Sequence, residues 1–354
     1  MTLRNLGLGK KGLEHRIQEE AGHLVEHFRR EKGRSLDPSF PIVHSVSNVI
    51  ASVVFGHRFS IEDKNFQQLI KNNYCMIENG NHICEMLYDM LPWLMNHLPG
   101  PHQKSFYCQE FLRSFARKEI RNHQENGSPD ESQDFIDFYL AQIDKSKDDP
   151  TSTFDEENLV QTIFDLFLAG TETTATALRW TVLDMVVHPD IQEKVQKELD
   201  AVLGPSQLIC YVDRKKLPYT NAVIHEILRY STTVAVGVPR QCIKDTTLQG
   251  FPIEKGTLII PNLNSVLVDP EQWETPRKFN PNHFLDKDGN FMNKEAFIPF
   301  SAGHRVCLGE QLARTELFIF ISNLLRAFTF RLPEGVKEIN TENQLYKYRR
   351  KLWT

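Results

Sequence analysis

Between Phe300 and Gly309 the chain sets a phenylalanine, two glycines, an arginine and a cysteine in the order Phe-x-x-Gly-x-Arg-x-Cys-x-Gly, directly ahead of an apolar helical stretch. A cysteine at a helix N-terminus lies among backbone N–H groups that no carbonyl satisfies, and these favour the deprotonated, metal-binding sulfur. Hydrogen bonds to a ligating sulfur also tune the reduction potential of the metal it holds. Gly303 and Gly309 allow a tight turn and a close approach of backbone to a flat macrocycle. Arg305 offers a fixed fork of donors suited to a propionate carboxylate. A lone Cys307 reads more readily as a buried structural thiol; ten positions in register move the balance to a ligand.

Three further constellations carry chemical side chains. Ala169-Gly170-Thr171-Glu172-Thr173-Thr174 lies in the middle of a long helical stretch, where a glycine costs up to about 1 kcal/mol relative to alanine. A helix crossing beside exposed polar residues is one reason for it. Glu226 and Arg229 stand at i and i+3 on one helix face, a spacing common among surface pairs of little energetic worth. Arg240 follows Val238-Pro239 and reads by itself as an exposed turn arginine.

The elements that must position these residues follow from periodicity. Leu13, Ile17, Ala21, Leu24, Val25 and Phe28 recur at spacings of three and four, which predicts an amphipathic helix over Gly12 to Arg30. A second is expected around Ile42 to Phe55. Proline and glycine between Leu91 and Phe106 predict a loop with short helical pieces. The polar runs Asn122 to Asp134 and Asp144 to Ser152 read as surface connections. Thr153 to Glu156 fits a capping box that opens a helix reaching His188. Pro189 opens the next at N1 and Gly204 is expected at its C′ position. A compact helix spans Pro218 to Tyr230. Val234 to Leu263 reads as short strands with turns at Gln249-Gly250 and Lys255-Gly256. Gly309 to Phe330 is helical and apolar.

The bulk properties narrow the class. With 354 residues, 40% of them hydrophobic and 25% charged, the chain can bury a large core. A net charge of −5 gives no basic footprint for nucleic acid. Six cysteines scattered without CxxC pairs suit a reducing, cytosol-facing environment. No run reaches the roughly 18 apolar residues of a spanning helix, so the chain as written reads as soluble or peripheral.

The cysteine loop resembles the haem-binding signature of the cytochrome P450 superfamily at every specified position. Leu3-Arg-Asn-Leu-Gly-Leu-Gly-Lys-Lys11, Asp137-Phe-Tyr-Leu140, Phe297-Ile-Pro-Phe300 and Gly309-Glu-Gln-Leu-Ala-Arg-Thr-Glu316 resemble mammalian family 2, most of all subfamily J, over Thr2 to about Arg331. The resemblance implies a mainly α fold with a small β region, incomplete at both ends. It also implies a haem domain over residues 1–333, lacking the membrane anchor and early helices, and a divergent polar and basic tail over 334–354.

The cofactor implied is haem b, with Cys307 as axial ligand to the iron and Phe300, Gly303, Arg305 and Gly309 shaping its site. Arg240 matches a basic position that contacts a propionate. Ala169 and Gly170 pass over the other haem face, where Glu172 and Thr173 form an acid and alcohol pair that relays protons. Glu226, Arg229 and His283 form a buried structural network, with histidine where arginine is commoner, so the network is expected to be weaker or pH-sensitive. Val234 to Val238 line the substrate pocket.

The activity implied is monooxygenation of lipophilic substrates, polyunsaturated fatty acids of the arachidonate type and xenobiotics, at the cytosolic face of the endoplasmic reticulum. Electrons come from NADPH through a separate reductase, with cytochrome b5 as a second partner. Trp93, Leu94 and Met95 are expected either at the membrane surface or in the core. The competing reading is an inactive haem-binding product of a variant transcript. An isomerase or peroxide-driven enzyme is disfavoured by the Glu172-Thr173 pair.

Overall fold

Apolar spacing from Leu13 to Phe28 produces α1 (Lys11–Arg30), which buries Ile17, Ala21, Leu24 and Phe28 on one face. The computed structural model describes residues 11–79, 83–126, 134–204, 207–333 and 335–336. The opening run 3–10 and nearly all of the expected tail, 334 and 337–354, lie outside the described residues. The chain forms two compact units, residues 1–175 and 176–354.

In the first unit α1 packs on α2 (Ser39–Val54), which is buried along almost its whole length. Asn48 of α2 fastens the following loop, donating to the Phe59 carbonyl at 3.0 Å and accepting its N–H at 2.7 Å. Next come α3 (Lys64–Asn79), α4 (Ile83–Met90), the single turn α5 (Pro92–Met95) and α6 (Pro101–Asn126). The proline-rich segment is therefore a loop with one short helical turn only as far as Gly100. The run from Asn122, expected as a connection, continues α6 to Asn126, because polar residues suit the solvent face of a helix as well as a loop. Residues 127–133 lie outside the described residues.

Asp134 then caps α7 (Phe135–Lys145), accepting the Asp137 N–H at 3.0 Å. Its second carboxylate oxygen lies 2.9 Å from Nε2 of His123 near the end of α6. That bond pushes His123 up to about 9 from its ordinary 6.5, against the opposing effect of burial.

The longest helix, α8 (Glu156–Val187), is started by Asp155, whose carboxylate accepts the Asn158 N–H at 2.8 Å. The cap thus falls two residues after Thr153, at the last side chain able to reach the N3 amide. Near the middle of α8 the backbone of Gly170 meets Ile50 of α2. A Cβ at position 170 would lie 2.5 Å from Ile50 Cδ1 and 3.0 Å from its Cγ1. Close approach of two helices accounts for this glycine.

The second unit contains the remainder of α8 and then α9 (Pro189–Val202), with proline in its first turn. The chain leaves α9 through extended Leu203, and Gly204 does not take the left-handed conformation expected of a C′ glycine. Glu198 of α9 accepts the N–H groups of Tyr219 and Thr220 at 2.9 and 2.7 Å, so it satisfies the start of α10 (Pro218–Tyr230).

Two small antiparallel pairs follow: β1 (Arg240–Gln241) with β4 (Leu258–Ile259), and β2 (Thr246–Leu248) with β3 (Phe251–Ile253). Gln249 and Gly250 join β2 to β3 with φ of 50° and 86°, the positive pair that suits a two-residue hairpin. After α11 (Leu263–Leu267), the chain passes through irregular segments to α12 (Glu310–Ala327). α12 is almost wholly buried between Thr315 and Leu325 and ends when Phe328 turns extended, three residues before the expected limit.

Two outcomes are expected. Gly170→Ala gains about 1 kcal/mol of helix propensity and loses about 1–3 kcal/mol to overpacking. Ile50→Val, which removes Cδ1, should make that alanine better tolerated; additive effects in a four-protein denaturation cycle would refute the contact. Because His123 is raised in the folded chain, its pairing with Asp134 stabilises fully below the ordinary imidazole value and is lost as pH rises through about 9. Melting temperatures measured from pH 7 to 10 should fall less steeply in His123→Gln than in the parent.

Candidate functional site

The cysteine loop is closed by backbone bonds. The Cys307 N–H donates to the Phe300 carbonyl at 3.0 Å, and the Val306 N–H donates to that of Gly303 at 3.1 Å. Gly303 has φ of 77° and starts a tight helical turn, Gly303 to Arg305. Ser301 reaches 66° without being a glycine, a conformation costing of order 1 kcal/mol for such a residue. Gly309 is the N-cap of α12 at φ of −88°, and a Cβ there would stand 3.9 Å from Cys307 Sγ, so neither turn geometry nor the sulfur demands glycine.

Cys307 is exposed at the edge of this loop. Partial desolvation by its surroundings pushes the thiol above its ordinary value. The N–H groups of Gly309 and Glu310 oppose that push, while the Glu310 carboxylate adds to it. The amides expected at the helix start are present, but in the free chain they are outweighed. A bound cation would reverse the balance, because a coordinating thiol is deprotonated outright.

Arg240 reaches the same loop from β1. Its Nη2 donates to Ser301 Oγ at 2.9 Å and to the Arg305 carbonyl at 3.3 Å. It is thus partly engaged rather than a free turn arginine, while Arg305 is exposed. Around the two segments that Arg240 ties together, Val236, Val238, Ile260, Val306 and Leu308 are exposed. Apolar side chains beside an open thiol and two arginines match a flat, largely apolar ligand bearing carboxylates. The residues present therefore fit haem.

In the first unit Ala169 and Thr173 are exposed, and Thr173 Oγ1 donates to the Ala169 carbonyl at 2.7 Å. Glu172, the next residue back, is buried at 6% exposure. The acid and the alcohol therefore lie on different sides of α8. Trp93 and Leu94 are exposed while Met95 is buried, which removes Met95 from the expected surface contact.

Glu226 and Arg229 are completely buried, so the surface-pair reading does not hold. Arg229 donates from Nε and Nη2 to the two Glu226 oxygens at 2.7 and 2.6 Å. Its remaining N–H groups reach the carbonyls of Leu267, Pro276 and Lys278. Glu226 also accepts the Asn280 N–H at 2.8 Å and faces His283 Nδ1 at 3.2 Å. His283 Nε2 accepts the Thr275 N–H at 3.2 Å, so the hydrogen on Nδ1 is the one that donates to Glu226. The expected weakness is not seen in the bonding: histidine is satisfied on both ring nitrogens.

Sequence reasoning missed Arg314, whose guanidinium stacks 5.0 Å above the Phe300 ring, and His225, which accepts from it at 2.9 Å. Only the position of Arg314 in the second turn after Cys307 hinted at this.

Comparison with known proteins agrees with the geometry. The family model described as Cytochrome P450 matches residues 1–351. The chain belongs to the cytochrome P450 family. It is 50% identical to human Cytochrome P450 2J2 over 338 residues, which cover 95% of this chain and 67% of that protein. It is 49% identical to Cytochrome P450 2J1 of Oryctolagus cuniculus over the same shares, and 44% identical to Cytochrome P450 2A3 of Rattus norvegicus over 97% of this chain and 70% of that one. The chain thus spans about two thirds of the length of these relatives. As a P450 it is a haem monooxygenase by class. Among the described residues, no helix is long and apolar enough to cross a membrane.

Breaking the buried ion cluster from one side should cost about 3–5 kcal/mol. Glu226→Leu is expected to unfold at markedly lower urea than the double variant Glu226→Leu with Arg229→Met. Equal losses in both would show that the charges are not coupled.

Proposed function

We propose that Cys307 is the axial thiolate ligand of haem b, within a haem domain formed by residues 1–333. The observation carrying this reading is the loop itself: an open sulfur at the head of an 18-residue helix, in a turn closed by the Cys307 N–H on the Phe300 carbonyl. Phe300 holds the cysteine backbone, Gly303 turns the loop, and Gly309 caps the helix behind it. Arg305 and Arg240 are the propionate partners, with Arg240 oriented by Ser301. When bound, haem supplies activation of dioxygen for insertion of one oxygen atom into a C–H or C=C bond.

The polypeptide's own tasks are binding, orientation and proton supply. Thr173 directs its hydroxyl hydrogen to the Ala169 carbonyl and so offers lone pairs to a proton-bearing neighbour. Glu172 is the acid of the pair. Its burial makes proton exchange depend on a side-chain movement or a water path. Ala169 and Gly170 keep the helix surface low beside them. Val234, Val236 and Val238 give the substrate side an apolar lining.

By resemblance to subfamily J, the substrates are polyunsaturated fatty acids and lipophilic xenobiotics, and the products are epoxides and alcohols. Electrons derive from NADPH through a separate flavoprotein reductase, with cytochrome b5 as a second donor. The workplace is the cytosolic face of the endoplasmic reticulum, with Trp93 and Leu94 at the lipid surface.

The reduced carbon-monoxide difference spectrum of purified, haem-supplied chain tests the reading. A long-wavelength Soret band is expected in the parent and absent from Cys307→Ser. A parent without it would favour a chain that holds haem unproductively.

A further inference from the structure

Arg314 lies seven residues beyond Cys307 on α12, and three separate elements meet at its guanidinium. Nε donates to Glu310 Oε1 at 2.8 Å. Nη1 lies 2.9 Å from Nε2 of His225 on α10. The planar group stacks over the rings of Phe300 and Phe297 at 5.0 and 5.3 Å. His225 is suited to its part: its Nδ1 hydrogen goes to the Asn221 carbonyl at 2.7 Å, leaving Nε2 as a bare acceptor. Burial, then the neighbouring Arg314, pushes this ring down to about 3, so it stays neutral.

Both ends of that contact set act on the sulfur. Phe300 carries the carbonyl that accepts the Cys307 N–H, so a fixed Phe300 ring fixes the cysteine backbone. Glu310, three residues beyond Cys307, donates its backbone N–H to the Cys307 carbonyl at 3.4 Å and carries a carboxylate whose negative charge disfavours a thiolate nearby. An arginine that pairs with the carboxylate screens it, and the pair is only 21% and 34% exposed, which limits competition from solvent.

We infer that Arg314 is a positioning residue for the Cys307 thiolate, clamping Phe300 by stacking and screening the Glu310 carboxylate by ion pairing. The inference rests on Cys307 being the haem ligand. Lysine at this position keeps a charge but not the planar fork that stacks and bonds together, so the two actions are separable.

The test uses the haem-supplied full chain and two readouts: persistence of the long-wavelength carbon-monoxide band in mild urea, and the ferric/ferrous reduction potential. Arg314→Met should lose the band about tenfold faster, in the range seen when outer partners of a metal ligand are removed. It should also shift the potential negative, since an unscreened carboxylate favours the ferric state. Glu310→Gln in that background should restore the potential but not the persistence. Arg314→Lys should hold the potential and lose the persistence. A parental band lifetime and potential in Arg314→Met overturn the inference. If Arg314→Met fails to fold by circular dichroism, Arg314→Lys decides: faster loss of the band at a parental potential supports the inference, and a parental band lifetime overturns it. Loss of the reading beneath it looks different, because the parent itself then lacks the band or Cys307→Ser keeps it.

Discussion

A carboxylate and a guanidinium can remain charged inside a protein only if nearly all their hydrogen-bonding capacity is filled. Glu226 and Arg229 meet that condition by drawing in carbonyls from Leu267, Pro276 and Lys278, the Asn280 amide and the His283 ring. The irregular stretch between α11 and the cysteine loop has little regular secondary structure of its own, and these bonds give it a fixed course. Trp273 and Phe284 then close over the cluster as a small apolar core with Ala222 of α10. On the adjoining position of α10, His225 contacts Phe291 and Phe297 at 4.6 and 5.0 Å. Neighbouring residues of one helix thus serve two tasks, one holding the long connection and the other bracing the approach to Cys307.

The loop at Cys307 is held by short polar contacts rather than by deep burial. Arg240 grips Ser301 and the Arg305 carbonyl, Phe300 accepts the cysteine amide, and α12 supplies N–H groups. Such an arrangement keeps the sulfur accessible while fixing where it points. It also leaves the thiol favoured over the thiolate.

What could be read from sequence divides by the range of the interaction that decides it. α10 was legible at both ends because proline marks its start and apolar periodicity carries it to Tyr230. The hairpin turn at Gln249-Gly250 was legible for the same local reason. The start of α8 was misplaced by two residues, since Thr153 and Asp155 both suit a cap and only geometry chooses. α3 and α7 escaped notice as helices: α3 is polar and α7 short, and their helicity rests on packing of residues such as Phe66, Leu69, Phe135 and Ile136. At the site, Cys307 and its glycines stood out because their spacing is local. The burial of Glu226 and Arg229 came only through family resemblance, as an isolated i, i+3 pair looks like any surface pair. Arg314 was invisible because its partners His225 and Phe300 lie 89 positions before it and in the preceding loop.

Gly170 and Ile50 show how far such coupling extends. With 2.5 Å between the site of a missing Cβ and a methyl group on another helix, neither position has an independent tolerance for change. In descent the two are coupled: a side chain at 170 fits without crowding only beside a smaller residue at 50, and that smaller residue alone leaves a void beside the glycine. Change at this crossing is therefore constrained in pairs by packing, without any selection on the chemistry nearby.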